Sequence, residues 1–324
     1  MENIRTWTAE DEAIIATNTE ATECKRSAVE LGYWKDDYIN CFVKRAERKA
    51  PEINRGYYAR VKGMELFINH FLECQIINLG CGYDTLYWRL KDSTQAVANF
   101  IELDFPSVTA KKCHIIKRNK QLIEKIASED SEVVVQSGDL HAGDYHLMGC
   151  DLRCLGEVRR KLTAAGAGTL PTLALAECVL VYLRTDAADA LIRMLAAEFP
   201  QLVLVVYEQC NLADKFGEVM VRNLSARGCW AEGVGAGGAA QAPAAQAARL
   251  AALGFSSARA WDMQEVWRAL PAADRLRAEA LEPLDEQELL QQLNQHYALT
   301  VATRGALFSD IDLNFILTSR LNVP

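Results

Sequence analysis

The chain has 324 residues, half of them hydrophobic, and a formal net charge of -8. This is enough chain for one large α/β domain or two modest ones, and its acidic balance argues against a nucleic-acid partner held by a general basic field. With no run of 18 apolar residues, no membrane span is expected. The first 20 residues show no apolar secretory core. The ten cysteines lack C-x-x-C or zinc spacing and read as reduced thiols of a cytoplasmic protein, not as metal ligands.

The first 70 residues read as helical. Asp36 is placed to cap a helix carrying Ile39, Phe42, Val43 and Ala46, and Val61, Met64, Ile68 and Phe71 mark another. The pattern then changes to short apolar runs. Seven strands are predicted, at Gln75–Leu79, Asn99–Leu103, Leu147–Cys150, Thr172–Ala176, Gln201–Tyr207, Phe255–Ala260 and Tyr297–Thr303. Helices fit between them. One opens at Thr185 and Asp186 and runs to about Glu198, and another starts on a capping box, Asp262 to Glu265, and ends before Pro271. Residues 231–253 are rich in Ala and Gly: Gly233 to Gly238 reads as a loop, and Pro243 to Leu253 as a helix stopped at Gly254. Alternating buried strands and helices predict a mostly parallel sheet covered on both faces. We expect a single domain over 1–324, with a helical extension at 1–72, a core at 73–210 and a substrate-side region with the last strands at 211–324.

The residues that carry chemistry lie where the strands end. Gln75–Leu79 runs into Gly80-Cys81-Gly82-Tyr83-Asp84-Thr85, a turn whose glycines let the backbone bend and approach a ligand. A dinucleotide fingerprint would have a third glycine at position 85. Thr85, preceded by Asp84, disfavours a phosphate and suits an uncharged or cationic ligand such as S-adenosylmethionine. Glu102 and Asp104 share a side-chain parity at the end of the second strand, and either can hold ribose hydroxyls. Asp104 lies nearer the carboxyl end and is preferred, the alternative being that it caps the helix at Pro106. Asp151, beside Leu152, either accepts from an adenine amino group or caps the helix near Leu155. Glu177 leaves an apolar strand into the crevice, while Tyr182 is either a core aromatic or a hydroxyl offered to the acceptor. Arg60 is suited to fork a carboxylate and Lys25 adds a point charge.

Together these blocks resemble the leucine carboxyl methyltransferase family, which methylates the C-terminal leucine of the protein phosphatase 2A catalytic subunit. The matching stretches are Gly32-Tyr33-Trp34, the long run from Arg48 to Tyr57, Asn78-Leu79-Gly80, Trp88 to Lys91, Asp104-Phe105-Pro106, Ala176 to Tyr182 and Tyr207-Glu208-Gln209. The resemblance implies a Rossmann-like class I methyltransferase sheet with a helical amino-terminal addition and carboxyl-terminal lid elements. It also implies a monomer that binds S-adenosylmethionine without metal. Lys25 and Arg60 look like the family residues that hold the cofactor's carboxylate beside the acceptor. Gly80 looks like the turn glycine, Asp104 the ribose acid, Asp151 and Leu152 the adenine pair, and Glu177 the acid near the amino group. Cys81 departs from the alanine expected there. Two rival readings are a carboxyl methyltransferase acting on a hypermodified tRNA base and a phosphatase-tail binder without catalysis.

Overall fold

Among the described residues nine strands form one sheet in the order β3-β4-β5-β2-β1-β6-β7-β9-β8. They are β1 (Gln75–Leu79), β2 (Phe100–Asp104), β3 (Val134–Gln136), β4 (Asp139–Ala142), β5 (Tyr145–Gly149), β6 (Thr172–Glu177), β7 (Leu202–Gln209), β8 (Ser257–Asp262) and β9 (Tyr297–Arg304). The computed structural model describes residues 7–43, 47–71, 73–93, 97–127, 132–136, 138–229, 242–309 and 311–318. Strands β5, β2, β1, β6 and β7 are mutually parallel. Strand β9 runs antiparallel beside β7, and β8 antiparallel beside β9.

Every residue of β1, β2 and β7 is buried, as strands covered on both faces must be. Their alternation divides the interior in two. Leu173, Leu175, Val203, Val205 and Tyr207 face a core shared with Tyr58, Phe67 and Trp88. Ala174, Ala176, Leu202, Leu204 and Val206 face a second core with Leu191, Ile192 and Leu195.

The first helix, α1 (Ala9–Glu30), starts on a capping box in which the Thr8 hydroxyl accepts from the Asp11 N–H and the Asp11 carboxylate from the Thr8 N–H. The next helix, α2 (Ile39–Phe42), has Tyr38 and not Asp36 at its N-cap, and Asp36 stands two residues earlier, accepting from the N–H groups of Tyr38 and Ile39. The predicted helix is also cut short, because Val43 is already extended, and Ala46 lies outside the described residues. Pro51 opens α3 (Pro51–His70), where its missing N–H costs nothing. Two further helices bear on the site, α4 (Leu86–Asp92) and α5 (Pro106–Arg118). The predicted helix at Thr185–Glu198, the capping box at Asp262 and the helix Pro243–Ala252 before Gly254 (φ +107°) are all present. The loop expected at Gly233 to Gly238 lies outside the described residues.

Among the described residues the count of seven strands is corrected to nine. The two additions, β3 and β4, form an antiparallel ladder on the edge of the sheet beside β5. They are three and four residues long, and β3 is exposed along its length, so neither carries the apolar run that marks an interior strand. The third predicted strand also shifts towards its amino end, to Tyr145–Gly149.

Candidate active site

A crevice of about 350 Å³ opens at the carboxyl ends of β5, β2, β1, β6 and β7, where ligands bind in open α/β sheets. Lys25, Arg60, Gly80, Asp104, Asp151, Leu152, Glu177 and Tyr182 all line it. Residues far apart in sequence are thus gathered into one wall, with α1 forming its opposite side through Ile14, Asn18, Ala21 and Lys25.

The turn after β1 is built for close approach. Gly80 has φ +60°, and a Cβ there would lie 2.6 Å from Val179 Cγ2. At Gly82, φ is +50° and a Cβ would meet Asn18 Oδ1 at 2.5 Å. Asn18 uses that oxygen to accept the Tyr83 N–H at 2.9 Å, so α1 is fastened to the turn. Asp84 Oδ1 accepts from the N–H groups of Thr85 and Leu86 at the start of α4. A carboxylate thus occupies the helix end on which dinucleotide folds seat a pyrophosphate.

The structure separates Glu102 from Asp104. Glu102 is wholly buried, 2.6 Å from Lys112 Nζ of α5, and accepts the Tyr145 hydroxyl at 2.6 Å. It belongs to the interior below the site, where Lys112 also donates to the Asp84 carbonyl at 2.8 Å. Asp104 lines the crevice instead. Its Oδ2 accepts from the Gly82 N–H at 2.7 Å and its Oδ1 from the Phe105 N–H at 2.6 Å. Burial pushes its carboxyl from 3.8 up to about 6, against the pull of those two N–H groups.

Asp151 does not cap the following helix, where Cys154 stands at the N-cap without a side-chain bond. It is forked by Arg153, with Nε 2.8 Å from Oδ1 and Nη2 3.0 Å from Oδ2. Arg153 also reaches Asp11 of α1 at 2.7 Å and lies over the Phe105 ring. Sequence reasoning missed Arg153, Asn18 and Lys112, because each acts on a partner remote in the chain or through backbone atoms.

The other end of the crevice is cationic. Lys25 Nζ lies 2.9 Å from Glu177 Oε1, and Arg60 Nε donates to the same oxygen. The Arg60 guanidinium rests against the rings of Tyr57 and Tyr207, 5.1 and 4.8 Å from their centroids, and Tyr207 stacks on Tyr297. Burial opposes ionisation of Glu177, but Arg60 and Lys25 beside it hold the carboxyl well below the usual carboxylate range. Two cations therefore share one anion, leaving this trio one positive charge in excess. Just beyond it, Cys178 adopts φ +56°, an uncommon conformation for a side-chain-bearing residue. Glu208 underpins the bend by accepting the N–H groups of Val179 and Leu180 at 2.8 and 2.7 Å. Burial holds the Tyr182 phenol protonated, so it stays available as a donor.

These groups fit S-adenosylmethionine. The glycine cradle has no room for a Cβ, the carboxylates of Asp104, Asp151 and Glu177 can receive hydroxyl or amino groups, and the cationic pair can meet a carboxylate. The comparisons agree. The model of the family described as leucine carboxyl methyltransferase matches residues 13–196. The chain is 43% identical to leucine carboxyl methyltransferase 1 of Bos taurus over 306 residues, covering 91% of each chain, and 36% identical to the Arabidopsis thaliana homologue. It is 35% identical to the human tRNA wybutosine-synthesizing protein 4, of which it spans 45%. Among solved structures, a DUF574-family protein from Streptomyces avermitilis has the same fold at a TM-score of 0.53 and 12% identity, covering 87% of this chain and 96% of its own. The chain belongs to the leucine carboxyl methyltransferase family and is an S-adenosylmethionine-dependent methyltransferase of class I fold.

Proposed function

We propose that the protein methylates the α-carboxylate of a C-terminal leucine, and that the acceptor is the tail of the protein phosphatase 2A catalytic subunit. The observation that carries this reading is the cationic end of the crevice. Among the described residues Arg60 and Lys25 share the single carboxylate of Glu177 there, so one positive charge is left over to receive a carboxylate. In this reading the chain works as one unit, with 1–72 and 211–324 closing on the core at 73–210. It acts as a cytoplasmic monomer without nucleic acid. Among the described residues no helix is long and apolar enough to cross a membrane.

When bound, S-adenosylmethionine supplies a methyl group activated by a sulfonium. The residues of the chain then have little proton chemistry to do. A peptide α-carboxyl has a pKa of about 3.3–3.7 and is already an anion at neutral pH, so no general base is required. Lys25, Arg60 and Glu177 set the ends of the reactants, Gly80, Asp104, Asp151 and Leu152 hold the nucleoside, and Tyr182 steadies the attacking carboxylate by donation. Arg60 is fixed by two rings and a carboxylate, so its orientation is set before anything binds. Such placement is worth effective molarities of roughly 10⁵ M or more. The apolar face of α1 shields the site from water, which strengthens each charge interaction inside.

The test is methyl transfer from labelled cofactor to the phosphatase catalytic subunit with and without its terminal leucine. A base-labile product that needs the leucine supports the reading, and transfer indifferent to that residue removes it. The kinship with the wybutosine protein supports a second reading, a tRNA-base carboxyl as acceptor. It ranks lower because the chain is 35% identical to that relative against 43% to leucine carboxyl methyltransferase 1, and carries a net charge of -8.

A further inference from the structure

The carboxyl-end residues of five adjacent strands form a ruler along the crevice. Asp151 follows β5, Asp104 ends β2, Gly80 follows β1, Glu177 ends β6 and Gln209 ends β7. Adjacent strands are about 4.8 Å apart. Read from the adenine end, the first four positions meet base, ribose, turn and methionine, and Gln209 stands one strand further, about 10 Å from β1. It is at the place of whatever lies past the transferable methyl.

Gln209 is built into that place. It lines the crevice with Arg60, Glu177, Tyr182 and Tyr297. Strand alternation puts it on the same face as Tyr207, two residues earlier, on whose ring Arg60 rests. Its backbone carbonyl is tied by Gln246 Nε2 at 3.1 Å, and Gln246 Oε1 in turn accepts the Thr300 hydroxyl at 3.0 Å. Gln209 is paired in register with Tyr297 of β9, whose ring lines the same crevice. Yet Gln209 is 4% exposed and its side-chain oxygen Oε1 has no partner among the described residues. A buried carbonyl left unpaired in this way is costly, and this one lacks only a donor.

We propose that Gln209 reads the methyl acceptor: Oε1 accepts the peptide N–H that adjoins the C-terminal carboxylate, while Arg60 orients the carboxylate itself. The inference rests on the peptide-terminus reading above and deepens it. The site then selects an α-carboxylate at the end of a peptide over carboxylates with no neighbouring N–H, such as side-chain acids. A site built around a hydrogen bond rejects an analogue lacking it far more strongly than an apolar pocket rejects a lost methylene.

The test compares two semisynthetic phosphatase catalytic subunits. One ends in leucine, and the other ends in the corresponding 2-hydroxy acid, joined by an ester that replaces the N–H with oxygen. Each is methylated by the wild-type enzyme and by Gln209→Met, which keeps the length and loses the acceptor oxygen. Cofactor affinity of both enzymes is measured by calorimetry without acceptor. We expect the wild type to lose roughly tenfold to a hundredfold in kcat/KM on the ester tail. Gln209→Met should be slower on leucine, nearly indifferent to the swap, and within about twofold of wild type in cofactor affinity. Equal sensitivity of the two enzymes to the missing N–H overturns the proposal, as does a loss of cofactor affinity that accounts for the lost activity. No transfer by the wild type to the leucine tail would instead remove the peptide-terminus reading, and this inference with it.

Discussion

The two ends of the crevice are made in different ways. At the nucleoside end, Gly80, Asp104, Asp151 and Leu152 are each the last residue of a strand or lie within three residues of one, and backbone geometry does most of the positioning. At the acceptor end, Lys25 comes from α1, Arg60 from α3, Glu177 from β6 and Tyr207 from β7. There nothing local fixes the arrangement, and opposed charges hold it. The first end is a property of the sheet, and the second is added to it by the amino-terminal helices. Damage to the two ends should therefore appear in different measurements.

The sharpest break is at Arg60. Arg60→Ala removes the guanidinium proposed to fork the acceptor and should abolish measurable turnover, a loss of roughly 10²–10³-fold or more on the scale of a deleted transition-state donor. Lys25 still neutralises Glu177 at 2.9 Å, so far-ultraviolet circular dichroism should remain that of a folded protein. Near-normal turnover would take Arg60 out of the reaction. The matching damage at the nucleoside end is Gly80→Ala. Its Cβ would press on Val179 at 2.6 Å in a left-handed conformation, which alone costs about 1–2 kcal/mol. Calorimetry should show cofactor affinity weakened about tenfold to a hundredfold. An unchanged dissociation constant would mean that the turn does not contact the ligand.

The same contrast explains what the sequence made readable. The strand-end acids sit beside apolar runs, so alternation and position were enough to find Asp104, Glu177 and the glycine turn. The choice between Glu102 and Asp104 needed three dimensions, because their parity is the same and only Lys112, 10 residues after Glu102 in sequence but on another element, shows which one is interior. The acceptor end was readable through the long Arg48 to Tyr57 block, which pointed to a family but not to Tyr57 and Tyr207 as supports of Arg60. Asn18 left no trace in spacing, since its partner is a backbone N–H on another element, and Arg153, although it forks Asp151 two residues away, gave no sign of its second partner, Asp11 of α1. The edge strands β3 and β4 were lost because short exposed segments bury too little to leave an apolar pattern.

A subtler test of the nucleoside end uses pH. Ribose hydroxyls donate best to an ionised Asp104, whose carboxyl burial has raised to about 6. Ligand binding that favours the anion must then strengthen as pH rises through about 6, by at most about tenfold per unit. Cofactor calorimetry from pH 5 to 8 should show this rise in the wild type. Asp104→Asn should bind about tenfold more weakly at pH 8 and be flat with pH. A flat wild-type profile would place the ribose elsewhere.

The smallest effect expected concerns the joint between the two ends, the bend from Cys178 to Tyr182 that Glu208 supports. Burial raises the Glu208 carboxyl from 4.5 to about 7, although the N–H groups of Val179 and Leu180 favour its charge. A carboxyl whose folded pKa exceeds its unfolded one stabilises the fold most when protonated, so its contribution is full below about 4.5 and is lost as pH rises through 7. The slope in that window is at most about 1.4 kcal/mol per pH unit. Glu208→Gln keeps an oxygen to accept both N–H groups and cannot ionise. Its melting temperature should therefore gain on the wild type as pH climbs from 5 to 8, by a few degrees at the top of the range. Asp104 imposes a slope of the same sign, and it is present in both proteins, so it cancels in the difference. If the two melting curves stay parallel across that range, Glu208 is ionised throughout, and the bend at Cys178 is held by an anion rather than by a proton-sharing acid.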